Sequence, residues 1–385
     1  MQLPHPSLAP KPRIRGNTVL LIGVIIYGIA ILWPPLIIAI TFVLYQLIPY
    51  SFCEGDNAAE RRRIWNDFLN EVKYNPEFNK DYQKILFPNP AEVRLEEAYW
   101  VNPRGLCLMT SIMRPVNRDV EAVVCCCHGY SDLSSFLIRH EYQRLVRAGI
   151  AVVAMDYEGH GQSDGEFCYI PNWNYIVEDA AVFFRECCQR EFPGKKCFLV
   201  GESMGGAVAF DVYSKMPNMY SGVVLISPMC AIGEEMMPHP MIVKALQWFL
   251  GSQGAERLIG TLPFAPSNDV SLLAYHLEEK RQLAHSIPII YARKPRLTTA
   301  RELVLTTQRI SSSLKQFDAP FLVLHGSDDK VTDPKLSQAL FDLSRSQDKD
   351  IKLYEGMWHT ITSGESAEDI DLVFRDIITW IEARL

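Results

Sequence analysis

Beyond residue 92 the chain alternates short, largely apolar runs with stretches of helical periodicity, and this alternation limits its fold more than any other feature. Runs at 122–127, 150–155, 197–200, 223–226, 321–324 and 351–354 have strand length. Between and after them, 136–148, 176–190, 205–215, 335–345 and 367–383 repeat their apolar residues at helical spacing. Strands separated by helices imply a parallel sheet covered on both faces. Residues 93–108 read as an antiparallel hairpin turning at 102–105 and added at one edge. The expectation is an α/β fold with a mostly parallel, eight-stranded sheet.

The alternation stops between 230 and 317, where helical patterns and prolines replace strands. An insertion at this point predicts a helical cap between strands 6 and 7, over the carboxyl edge where open α/β sheets bind ligands. Met236, Met237, Met241, Ile242, Val243, Leu246, Trp248, Phe249 and Leu250 give the cap an apolar surface. Trp248 and Phe249 are its candidate substrate contacts. The boundaries expected are 93–229 and 318–385 for the two parts of the core and 230–317 for the cap.

No Asp, Glu, Lys or Arg occurs from Gly16 to Cys53. That is long enough to cross a bilayer and too long for the apolar part of a cleaved signal peptide. Pro34 and Pro35 break the helical ladder, so residues 18–50 form either one kinked span or two half-helices that re-enter one leaflet. A basic leader (1–17, with Lys11, Arg13 and Arg15) precedes this anchor, and a partly helical connector (51–92) follows it. Within 61–73, Ile64, Trp65, Phe68, Leu69 and Val72 share one helical face. That stripe either lies on a membrane surface or packs on the following domain, the commoner fate.

The chain carries 38 basic against 45 acidic residues, a net charge of −7, which argues against nucleic-acid binding. Its 10 cysteines do not form a disulfide framework. Cys125, Cys126 and Cys127 are consecutive in an apolar run, Cys187 and Cys188 are adjacent in a helical one, and no CxxC pair suggests zinc. No Asn-x-Ser/Thr acceptor occurs, so the main domain is expected to face the cytosol, in an unassigned organelle, with no metal or other cofactor.

The chemistry concentrates at strand ends. Gly201-Glu202-Ser203-Met204-Gly205 is GxSxG directly after a strand and before a helix. A sharp turn there projects Ser203 as a nucleophile, with Gly201 and Gly205 where side chains would collide. A serine needs a base, and the base an orienting acid. His359, after the eighth run, is the only histidine beyond Asp329. Asp328 and Asp329 both follow the seventh run. A carboxylate two residues before an apolar anchor, here Val331, favours Asp329 as the acid and leaves Asp328 to cap the turn. Asp333 before Pro334 reads as a helix N-cap. Backbone N–H groups of Met204 and of Tyr130, in the His128–Asp132 loop, are the oxyanion donors expected. His128 reads as structural, and the glycine-rich 156–165 segment as a turn supporting the site.

HGYSD, DYEGHGQSDG, GESMGG, HGSDDKVTDP and YEGMWH, in this order and spacing, resemble the monoacylglycerol lipase and lysophospholipase branch of the α/β-hydrolases. The similarity spans about 93–385. It implies an α/β-hydrolase fold, a Ser203–Asp329–His359 triad, oxyanion donors at Tyr130 and Met204, and hydrolysis of the single acyl ester of a lipid monoester at a membrane. Glu202 stands where animal monoacylglycerol lipases have histidine, and Tyr130 where they have a small residue. The alternatives left open are an acyltransferase using the same acyl-enzyme and an esterase for a phenolic ester. The oligomeric state is unassigned.

Overall fold

The computed structural model describes residues 57–75, 80–230, 260–263 and 270–385. The expected anchor at 18–50 lies outside the described residues, as do Cys53 and the candidate contacts Trp248 and Phe249. Among the described residues, no helix is long and apolar enough to cross a membrane.

Strands whose residues are nearly all apolar must be covered on both sides, and these form the middle of the sheet. β3 (Ala122–Cys127), β4 (Ile150–Met155), β6 (Gly222–Ile226) and β7 (Phe321–Gly326) are buried at every position. β5 (Lys196–Glu202) is buried except at its ends. β1 (Val93–Val101) and β8 (Lys349–Tyr354) carry exposed side chains and are the two edges. With β2 (Cys107–Pro115), the order is β1-β2-β4-β3-β5-β6-β7-β8. β2 pairs antiparallel with β1 and with β4, and the pairs from β4 onward are parallel. The α/β-hydrolase fold and its mostly parallel eight-stranded sheet are thus present, with the hairpin at the expected edge.

Consecutive residues of a strand face opposite sides, and the cysteine triplet of β3 shows what this does to the core. Cys125 and Cys127 join one cluster, with residues of α5 (Trp173–Glu191) and α6 (Met204–Lys215) such as Phe184 and Val208. Cys126 joins the other, with Val124, Leu145, Val373 and Phe374. The expected helix at 136–148 is two short pieces, Leu137–Glu141 (α3) and Gln143–Arg147 (α4). Around Tyr142 the chain tightens into an i→i+3 bond, from Leu145 N–H to Tyr142 O at 3.0 Å.

Between β6 and β7 the described residues contain α7 (Val270–Ala274), α8 (Glu278–His285) and α9 (Leu297–Ser313). α10 (Pro334–Leu343), capped by Asp333 as expected, and α11 (Ala367–Glu382) follow β7 and β8.

The stripe of the connector turns inward. α1 (Ala58–Tyr74) starts at an Asn57 cap whose side chain accepts from Glu60 N–H at 2.8 Å. Its Trp65 and Val72 pack with Tyr82 and Leu86 of α2 (Lys80–Leu86), with Leu133 and Phe136 of the core, and with Ala284 and Ile287 of the insertion. α1 is therefore part of the folded domain. Trp65→Ala is expected to lower unfolding stability by about 3–5 kcal/mol in denaturant titration. A loss below about 1 kcal/mol would mean that α1 is only appended.

Candidate active site

Ser203 sits where β5 turns into α6, with φ +56°, a left-handed conformation that side chains rarely adopt. The strain is held by close packing around it. A Cβ on Gly205 would lie 1.9 Å from Cys127 O, and one on Gly201 would lie 2.2 Å from Gly205 O. Only glycine lets the first turn of α6 press this closely on β3 and on its own approach strand. Backbone bonds from Ser203 N–H to Ile226 O and from Met229 N–H to Ser203 O, both 2.9 Å, tie the turn to β6 and the loop after it.

The acid and the histidine meet at the ends of β7 and β8. Asp329 Oδ2 lies 2.7 Å from His359 Nδ1. It also accepts from His325 Nε2 at 2.9 Å and from Thr332 Oγ1 at 2.8 Å. The other oxygen, Oδ1, accepts the N–H groups of Val331 (2.7 Å) and Thr332 (3.1 Å). Asp329 therefore caps the turn itself. Asp328, expected to do so, is exposed and accepts from Ser327 Oγ instead. The reason is spacing: only Asp329 stands two residues before Val331, within reach of the N–H groups that follow it.

These contacts set the charges. Burial opposes the ionised form of Asp329, but the facing His359 and His325 outweigh it and hold the carboxyl well below its usual range. Burial likewise lowers the His359 pKa, yet the Asp329 charge, its hydrogen bond and the nearby Glu202 carboxylate leave it raised above 6.5. Burial pushes Glu202 up. Its Oε2 accepts from Thr362 Oγ1 at 2.5 Å, linking the Ser203 turn to the His359 loop. Its Oε1 is buried with no hydrogen-bond partner among the described residues. Ser203 Oγ and His359 are not hydrogen-bonded to each other here, although that bond commonly tightens only when substrate is bound.

The loop after β3 lies against the serine turn: a Cβ on Gly129 would be 3.7 Å from Ser203 Cβ. Among the described residues, the backbone N–H groups of Tyr130 and Met204 donate to no protein acceptor. The Tyr130 ring is held beside His160 and Tyr291, and its hydroxyl donates to Cys168 O at 3.2 Å. His128 is buried and stacked on Tyr157, whose N–H it accepts at 3.1 Å; burial lowers its pKa to about 4. It is thus a neutral scaffold group, as expected. Asp132, two residues past Tyr130, is pushed up to about 7 by burial and by the Glu202 and Asp156 charges.

The insertion touches the histidine loop. Thr360 N–H donates to Ala274 O at 3.0 Å, and His276 stacks on Trp358 while pairing with the buried Glu365 at 2.7 Å. Among the described residues, no cluster of three His, Cys, Asp or Glu is placed to hold a metal. Sequence reasoning missed His325, Thr332 and Thr362. For His325 a signal existed, since a histidine four residues before the acid is placed to share it. Thr362 carries none.

The electrostatics imply a measurable titration. The His359 imidazole should titrate above pH 6.5 by NMR, and Glu202→Gln should move that pKa downward by removing a nearby negative charge. An unchanged or raised pKa in Glu202→Gln would contradict the coupling.

A family model described as Hydrolase_4, serine aminopeptidase, S33, matches residues 118–366. The chain is 31% identical over 295 residues to caffeoylshikimate esterase of Arabidopsis thaliana, covering 76% of this chain and 87% of that protein. It is 29% identical over 288 residues to human monoglyceride lipase, covering 74% and 89%. Its fold matches a crystal structure of a soluble variant of Saccharomyces cerevisiae monoglyceride lipase in complex with a substrate analogue. The TM-score is 0.66 at 19% identity, over 79% of this chain and 98% of that one. With the serine turn and the Asp329–His359 pair in place, the chain belongs to the Hydrolase_4 (S33) family of α/β-hydrolases.

Proposed function

We propose that the protein is a serine hydrolase that cleaves the acyl ester of a lipid monoester, a monoacylglycerol or a lysophospholipid, through an acyl-Ser203 intermediate. The observation that carries this reading is the buried Asp329–His359 pair at the sheet edge that also bears the left-handed Ser203 turn. His359 Nε2 takes the Ser203 proton while Asp329 holds Nδ1–H, so the imidazole keeps the tautomer needed for attack. As Ser203 Oγ bonds to the ester carbon, the carbonyl oxygen becomes an oxyanion and accepts the free N–H groups of Tyr130 and Met204. Collapse breaks the bond to the leaving alcohol, which receives the proton from His359. Water, deprotonated by the same imidazole, then releases the fatty acid.

The insertion between β6 and β7 serves as the cap, with Trp248 and Phe249 as acyl contacts. Residues 18–50 hold the domain at the membrane where such substrates reside; the charge-free run from Gly16 to Cys53 supports this anchor. A phenolic ester is the second reading, favoured by the similarity to the Arabidopsis esterase.

The pH dependence follows from His359. The base must be neutral, so kcat/KM falls as pH drops through a pKa above 6.5, and Glu202→Gln moves that acid limb to lower pH. An acid limb that ignores Glu202 would contradict the assignment of His359. Monooleoylglycerol, lysophosphatidylcholine and a caffeoyl ester offered together to the purified protein should show preference for one of the lipids. Ser203→Ala should lose activity by a factor on the order of 10⁵ or more. Retained turnover in Ser203→Ala would overturn the mechanism, and preference for the caffeoyl ester would replace the lipid reading with the phenolic one.

A further inference from the structure

The family match begins at residue 118, yet two arginines of α1 reach into the site's scaffold from far upstream. Arg61 is fully buried. Its Nε donates to Gly161 O at 2.8 Å, and its Nη2 to Ser163 O at 2.6 Å and Gly165 O at 3.1 Å. The guanidinium also lies over the Phe167 ring, 5.1 Å from its centroid. Arg62 beside it donates to Gln162 O at 2.8 Å and to Asp164 Oδ1 at 2.7 Å. Carbonyls converging from one loop make a negative concavity, and a planar, permanently charged fork suits it better than a lysine point charge.

The loop these arginines hold is the glycine-rich segment, and it in turn holds the oxyanion loop at both ends. Asp156 Oδ2 accepts Gln162 N–H at 2.9 Å, while Oδ1 accepts Ser134 N–H and Ser134 Oγ, each at 2.7 Å. Ser134 closes the segment that begins at His128. At the other end, His160 packs edge-on to the Tyr130 ring, with centroids 5.7 Å apart. Cys168, whose carbonyl receives the Tyr130 hydroxyl, is anchored by its own N–H on Gly159 O at 2.7 Å.

We propose that Arg61 is a positioning residue for the oxyanion loop, fixing the 161–165 carbonyls and, through Asp156 and Ser134, the direction of the Tyr130 N–H. The inference rests on the ester-hydrolase reading above. It gives a helix outside the family match a part in the reaction: α1 acts through three successive hydrogen-bond links, Arg61 to the 161–165 carbonyls, Gln162 to Asp156 and Ser134 to Asp156, that precede the oxyanion donor.

A purely structural arginine and a positioning one differ in which substrate their loss affects. A thionoester carries sulfur where the oxygen ester carries its carbonyl oxygen, accepts hydrogen bonds weakly and gains little from an oxyanion hole. The test compares monooleoylglycerol with its thionoester analogue on the full chain, in wild type, Arg61→Met and Arg61→Lys. Lysine keeps the buried charge and loses the fork. The expected result in folded Arg61→Met is a fall of about 10- to 100-fold in kcat for the oxygen ester, with KM within about twofold. The thionoester rate should change far less, so that the oxygen-to-sulfur rate ratio contracts. Arg61→Lys should contract it in the same direction.

An unchanged ratio in whichever variant folds would overturn the proposal. So would failure of both variants to fold, which would make Arg61 a requirement of the fold alone. If the wild type hydrolyses neither ester, the ester-hydrolase reading has failed; an active wild type with an unchanged ratio in the variants removes only the role of Arg61.

Discussion

The Asp329 carboxylate is the contact on which the site depends. It is buried at the end of β7 and accepts five close donors: His359, His325, the Thr332 hydroxyl and the N–H groups of Val331 and Thr332. A buried charge with unfilled acceptor sites would be costly, so this saturation is what allows the group to remain ionised. One oxygen shapes its own turn and the other aims an imidazole that comes from a different strand. The loops after β7 and β8 are thus joined by one side chain.

The same economy recurs around Ser203. The left-handed turn is possible only because two glycines let α6 approach β3 and β5 at backbone distance. Glu202, next to the serine, reaches across to Thr362 beyond His359, so the serine turn and the histidine loop are linked by a second, half-buried carboxyl. That carboxyl also raises the affinity of His359 for protons, which couples the titration of the imidazole to the residue beside Ser203. Strain at Ser203, saturation at Asp329 and the unpaired N–H groups of Tyr130 and Met204 are three local features of the carboxyl ends of one sheet.

Much of this was legible in the amino-acid sequence, for physical reasons. Strands buried on both faces are apolar nearly throughout, so 122–127 and 150–155 were readable to the residue. GESMG between a strand and a helix marked the sharp turn at Ser203, and the spacing before Val331 singled out Asp329, the carboxylate that lies against His359. The readings that fell short involved partners that leave no pattern. Asp328 looked like a turn cap, but the acid beside it does that work with its second oxygen. Nothing in the sequence pattern singled out Arg61. Its partners are backbone carbonyls a hundred residues downstream, and a carbonyl has no letter in the sequence. The inward face of α1 was readable as a stripe, but what it covers, Leu133, Phe136 and Ile287 among them, was set by tertiary packing.

The central claim is that Ser203 is a nucleophile activated by His359. It is tested most directly by treating the protein with an alkyl fluorophosphonate and locating the adduct by peptide mass spectrometry. The account predicts one adduct, on Ser203, formed rapidly in the wild type and far more slowly in His359→Gln. No adduct, an adduct on another residue, or equal labelling rates in the two proteins would contradict it.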